Sequence, residues 1–237
     1  MLLGVLGGLG PLATVYFMDL LVKMTEASCD QEHIPTLVLN DAEIPDRTQY
    51  ILGQSSHSPL PKMKKNAELL QNCGCDYIVI PCNTAHYFYD EVQKAVNIPI
   101  INILDETVKY CVDRNPGIKK VGVLATEGTT KSASYKKYIE KYGLEEVIPS
   151  QEDSVCLMNI IYNQVKAGRP VNITEFMRII WNMVRAGSDV IILGCTELSI
   201  INRDNRLTKN YHNIVDSMEV LARSSILKCG KNVKEIL

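Results

Sequence analysis

Short apolar runs rich in β-branched residues recur along the chain, separated by longer stretches with helical spacing. The runs are Leu2–Leu6, Thr36–Leu39, Tyr77–Pro81, Ile98–Asn102, Val121–Leu124 and Val190–Leu193. Helices are predicted at Pro11–Glu26, Pro59–Asn72, Ala85–Val96, Asp105–Arg114, Thr130–Tyr142, Ser154–Ala167, Ile173–Ala186 and Asp216–Lys228. Pro11 and Pro59 suit first helical turns, where a missing N–H removes no intrahelical bond. Strands alternating with helices predict an α/β fold of mostly parallel sheets flanked by helices.

The pattern also repeats. "GVLGGLGPLAT" from Gly4 matches "GVLATEGTTKS" from Gly122, and "GCDYIVIPCNT" from Gly74 matches "GSDVIILGCTE" from Gly187. "ILDETV" from Ile103 matches "IVDSMEV" from Ile214 through Asp105 and Asp216. The offsets are 118, 113 and 111 residues, in the same order along the chain. Such self-similarity predicts two lobes related by pseudo-twofold duplication. The first is expected to span 1–103 plus 210–237 and carry Cys82; the second spans 104–209 and carries Cys195. Each cysteine then follows the end of a central strand, where open α/β sheets place their ligands.

Composition narrows the function classes. A net charge of −2 and a pI of about 6.1 give no basic footprint for nucleic acid or an anionic membrane. Residues Met1 to Met18 carry no charge, yet Gly4, Gly7, Gly8, Gly10 and Pro11 interrupt them. A strand, a glycine turn and a helix fit better than a membrane span or signal peptide. The expected setting is cytoplasmic, and that setting argues against disulfides among the eight cysteines. Cys73-Gly-Cys75 lacks the spacer of common zinc sites, so no metal is expected. Cys29, Cys73, Cys111, Cys156 and Cys229 read as packing or surface residues.

A thiol between a strand end and a helix start gains from the helix N–H groups and dipole. With a cysteine on each wall of a cleft between the lobes, one thiol can remove a proton while the other delivers one. That is racemisation or epimerisation, with acid and base exchanging roles by direction.

Several motifs in order resemble the pyridoxal-phosphate-independent aspartate/glutamate racemases. They are "GGLGPLAT" (Gly7–Thr14), "IPDRTQYIL" (Ile44–Leu52), "PCNTAH" (Pro81–His86), "LATEGT" (Leu124–Thr129) and "GCTEL" (Gly194–Leu198). The resemblance implies Cys82 and Cys195 as the acid–base pair, no cofactor, an acidic amino acid as substrate and a homodimer. Leu6-Gly7-Gly8 in the first loop and Cys195-Thr196-Glu197 in the second motif favour the aspartate racemase branch. Arg47 matches the arginine that binds a substrate carboxylate, and Lys166 resembles a lysine of similar role. A planar guanidinium suits such bidentate binding. Thr14, Asn83, Thr84, Thr126, Thr129 and Thr196 are the polar residues expected to line the cleft. Glu197 is expected to meet the substrate ammonium or to tune Cys195. His86 is read as packing or capping.

Two other readings compete. Gly8-x-Gly10-x-x-Ala13 has the form of a dinucleotide fingerprint. Pro11 removes a donor where a pyrophosphate would sit, and both cysteine motifs would be left unexplained. A non-catalytic amino-acid sensor would use the same fold, but binding alone needs no repeated thiol.

Overall fold

The computed structural model describes residues 1–234. The chain divides into two compact units, Met1–Glu106 joined by the segment from Met218 on, and Thr107–Ser217.

The first unit runs β1 (Leu3–Gly7), α1 (Pro11–Met24), β2 (Thr36–Asn40), α2 (Arg47–Ile51), α3 (Leu60–Asn72), β3 (Tyr77–Val79), α4 (Tyr89–Gln93) and β4 (Ile100–Ile101). Helix α5 (Ile103–Arg114) leads out of it. Its sheet is wholly parallel with strand order β2-β1-β3-β4. Every residue of β1 is buried, while outer β2 is largely half-exposed. That contrast is expected of a parallel sheet covered by helices on both faces. Helix α3 covers it with Met63, Asn66, Ala67 and Leu70, the i, i+3, i+4, i+7 face of a helix.

The second unit runs β5 (Lys120–Ala125), α6 (Glu127–Lys131), α7 (Lys136–Lys141), β6 (Glu145–Val147) and α8 (Gln151–Asn159). A π-helical turn (Ile160–Val165) comes next, then α9 (Ile173–Arg185), β7 (Val190–Gly194), α10 (Thr196–Asn205), α11 (Leu207–Asn210) and β8 (Ile214–Asp216). Its sheet is also parallel, with order β6-β5-β7-β8, the same topology as the first. Helix α9 buries Phe176, Ile179, Ile180 and Met183 and is capped by Asn172, whose Oδ1 accepts from Glu175 N at 3.1 Å. Helix α12 (Ser217–Lys228) returns the chain to the first unit. There Ser224 donates to the Glu106 carboxylate at 3.0 Å, and Lys228 pairs with the same group at 3.0 Å.

Three expected elements take a different form, and one strand stands where none was expected. The helix expected at Ala85–Val96 starts as a 3₁₀ turn, Thr84–Phe88, before α4. The Cys82 carbonyl is held by the His86 ring, so the His86 amide bonds to Asn83 O instead. The expected Thr130–Tyr142 helix breaks into α6 and α7, with Ala133 at φ 52°. Ser132 donates to Thr129 O and bonds Ser134, so local hydroxyls compete with the helix ladder. Strand β8 replaces the start expected for the last helix at Asp216. Strand β6 lies in a stretch given no element, because Glu145 and Glu146 hide an edge strand among charges.

Both sheets place their second strand on one side of the first and their third on the other. The crevice of such a sheet opens beyond the carboxyl ends of the first and third strands. In the first unit these are β1, ending at Gly7, and β3; in the second they are β5 and β7, where Ala125 pairs with Gly194. The loop after β1 depends on glycine. Gly8 has φ +90°, and a Cβ there would lie 2.2 Å from the Asp41 carbonyl oxygen. Gly10 has open space around its Cα. Gly8→Ala is therefore expected to cost roughly 2–4 kcal/mol of unfolding free energy. Gly10→Ala is expected to stay within about 1 kcal/mol of the natural chain. Urea unfolding of both variants measures the difference.

Candidate functional site

The first unit gathers its polar groups around the loops after β1, β2 and β3. Thr14, buried on the first turns of α1, accepts from Gly8 N at 2.9 Å and donates to Gly10 O at 3.2 Å. Its hydroxyl staples the glycine loop to its own helix. A Cβ on Gly7 would sit 2.5 Å from the Thr14 methyl, so the staple requires glycine there. Arg47 closes the loop from the other side. Its Nη2 donates to Leu9 O at 2.5 Å and its Nη1 to Pro45 O at 3.2 Å. Nε is buried without a hydrogen-bond partner. The adjacent Asp46 caps α2 by accepting from Gln49 N at 2.8 Å. No carboxylate pairs with Arg47 among the described residues, which leaves its positive charge uncommitted.

Cys82 stands three residues beyond β3, next in register to the glycine loop, and is 6% exposed. Asn83 and Thr84 come directly after it, both buried. His86 fixes this turn. Its Nδ1 lies 2.9 Å from the Cys82 carbonyl, and its Nε2 accepts from Ile103 N at 3.2 Å. An acceptor at Nε2 and a donor at Nδ1 define a neutral ring. Burial pushes its pKa down to about 4. The ring ties the cysteine turn to the start of α5 and makes no use of a second proton.

In the second unit Cys195 is the N-cap residue of α10 and is 4% exposed. Its thiol does not cap the helix. Sγ donates to Glu197 Oε2 at 2.9 Å, and Thr196 Oγ1 donates to the same oxygen at 3.0 Å. The other oxygen, Oε1, lies 3.8 Å from Lys166 Nζ, which also sits 4.3 Å above the Tyr162 ring. Burial raises the Cys195 pKa well above its ordinary value; the Glu197 carboxylate raises it further, while the Glu197 backbone N–H and Lys166 oppose both.

Lys166 owes its place to a local irregularity. Its amide donates to Ile161 O, five residues back, at 3.0 Å. A π turn adds one residue to the helical repeat and rotates the residues after it, and such turns gather at functional sites. Beyond β5, Thr126 caps α6, accepting from Thr129 N at 3.3 Å, and the two hydroxyls lie 3.1 Å apart.

Of the expected residues, the fold brings Lys166, Cys195, Thr196 and Glu197 into direct contact. Thr126 and Thr129 form a pair at the neighbouring strand end. Arg47 and Thr14 hold the glycine loop, and Cys82, Asn83 and Thr84 form the adjoining turn. The sequence pattern assigns no role to Tyr162, and its signal, a position four residues before Lys166, is too common to stand out. Among the described residues, no group of three or more His, Cys, Asp and Glu side chains is placed to hold a metal ion. No helix among them is long and apolar enough to cross a membrane.

Comparison with known proteins matches this arrangement to one family. The model of the family described as Asp/Glu/hydantoin racemase covers residues 6–224. The broad-specificity amino-acid racemase RacX of Bacillus subtilis is 29% identical over 230 residues, spanning 95% of this chain and 96% of that protein. The solved aspartate racemase of Picrophilus torridus is 31% identical with a TM-score of 0.79, covering 98% of this chain and 96% of that one. An aspartate racemase homologue from Pyrococcus horikoshii superimposes with a TM-score of 0.76 at 25% identity, over 96% of this chain and 98% of that one.

The neutral state of His86 has a consequence for stability. Above pH 6.5 the ring is neutral in both folded and unfolded chains. Between 6.5 and about 4 the unfolded chain takes up a proton that the folded chain refuses. Stability through this group is therefore lost as pH falls across that window, by as much as ~3 kcal/mol. His86→Gln removes the titration. Its unfolding free energy is expected to fall less steeply between pH 7 and pH 4 than that of the natural chain, as chemical denaturation at each pH would read.

Proposed function

The chain belongs to the Asp/Glu/hydantoin racemase family and is an amino-acid racemase, and on that premise we propose that it interconverts L- and D-aspartate, with glutamate as a second substrate. Cys82 and Cys195 form the acid–base pair, one drawn from each unit. The observation that carries this reading is the recurrence of a thiol beyond the third strand of both sheets. A racemase must take a proton from one face of Cα and return one to the other. Two like groups of exchangeable role meet that need without a redox step.

The Cα–H bond of an amino acid is a weak acid, so the reaction needs its developing negative charge stabilised. Arg47 and Lys166 are the cations proposed to hold the substrate carboxylates. The guanidinium of Arg47 has a buried, unpartnered Nε and, among the described residues, no carboxylate partner, which suits it to a dicarboxylate. Thr84, Thr126, Thr129, Thr196 and Asn83 supply polar surface around the two thiols. The thiolate on one face takes the Cα proton, and the thiol on the other gives its own, leaving each sulfur in the state its partner held before.

Cys82→Ala and Cys195→Ala are each expected to lower kcat for aspartate racemisation roughly 10²–10⁴-fold. Chiral chromatography of aspartate, glutamate and neutral amino acids after incubation with each variant checks this. Near-full turnover in both single variants would contradict the paired-thiol reading. Faster turnover of neutral amino acids than of aspartate would contradict the substrate.

A further inference from the structure

The two cysteine motifs are duplicates, but they differ at one chemically decisive position. Two residues after Cys82 the chain has Thr84; two residues after Cys195 it has Glu197. The carboxylate of Glu197 is held in one place from three directions: the Cys195 thiol, the Thr196 hydroxyl and the Lys166 ammonium. Glu197 is only 13% exposed and Cys195 4%, so water does little to screen this contact.

We propose that Glu197 is a positioning residue that keeps Cys195 as the resting acid of the pair, with Lys166 as the counter-cation that sets how firmly it does so. This inference rests on the two-thiol reading and adds an asymmetry to it. A carboxylate accepting from Sγ–H favours the thiol over the thiolate, because removing the proton would set two anions 2.9 Å apart. The proton also fixes the direction of the sulfur, since an S–H donor has one hydrogen to aim. Lys166 pulls the other way by neutralising Oε1 from 3.8 Å.

Other charged groups near the thiol are already engaged. On α6, Glu127 pairs with Lys131 at 2.7 Å. Asp216, which ends β8 beside β7, accepts from Ser199 at 2.6 Å and from Asn202 at 2.9 Å. The π turn contributes only Lys166 and the neutral Tyr162 ring beneath it. The balance at Cys195 is thus set by burial and the Glu197 carboxylate on one side, and by the Glu197 backbone N–H and the Lys166 ammonium on the other.

The test is a titration of the sulfur itself, by 13Cβ NMR of cysteine-labelled full-length protein, with the Cys195 signal assigned through Cys195→Ser. In the natural chain Cys195 is expected to titrate well above an ordinary thiol. Glu197→Gln should bring its midpoint down by at least about one pH unit. Lys166→Met should move it up, and Glu197→Asp should keep it elevated. Coincident midpoints in the natural chain and Glu197→Gln would overturn the proposal, as would a thiolate at neutral pH in the natural chain. Should Glu197→Gln fail to fold, an unmoved midpoint in Lys166→Met would still overturn it. The signal reports the sulfur whether or not the protein turns over, so its failure is distinct from failure of the paired-thiol reading.

Discussion

Parallel pairing sends every strand of a sheet out at the same edge, and the strand order then decides where along that edge a crevice opens. In both units the second strand lies on one side of the first and the third on the other. The loops after the first and third strands must therefore diverge, which leaves their backbone amides and short side chains facing a common space. The glycine loop and Cys82 share such an edge in one unit; the Thr126 loop and Cys195 share it in the other. Replace the parallel register with any other and the same motifs would scatter.

Around that constraint the two units solve the same local problem differently. At Cys82 the turn is held by a neutral imidazole that bonds the cysteine carbonyl and the start of α5, so its geometry is fixed through backbone. At Cys195 it is the sulfur that is held, through Glu197 and Lys166. Arg47 and Thr14 show a third device, in which polar side chains shape a loop and one donor is left over. The two positions are equivalent in topology and chemically unequal.

Much of this was legible in the sequence for physical reasons. The central strands are buried on both faces, so they appear as unbroken apolar runs such as Ile78-Val79-Ile80, and the helices between them keep their periodicity. The paired cysteine motifs were visible because strand, turn and helix each leave a local signature. The features that escaped were either short or non-local. Glu145–Val147 is an edge strand with two glutamates, and Ala133 breaks a helix through serine bonds that no periodicity reveals. The contact of Lys166 with Glu197 depends on a π turn, whose extra residue leaves no mark in composition. His86 joins Cys82 to Ile103, a link set by tertiary packing.

The central claim is that two separate groups handle the two faces of Cα. It is tested most directly by where deuterium goes early in a reaction run in deuterated water from a single enantiomer of aspartate. With two groups, the donor sulfur carries solvent deuterium while the acceptor holds the substrate proton. The product enantiomer is then expected to be deuterated at Cα while the unreacted substrate keeps its protium. Equal deuterium in recovered substrate and product, at low conversion, would mean one group serves both faces and would contradict the account.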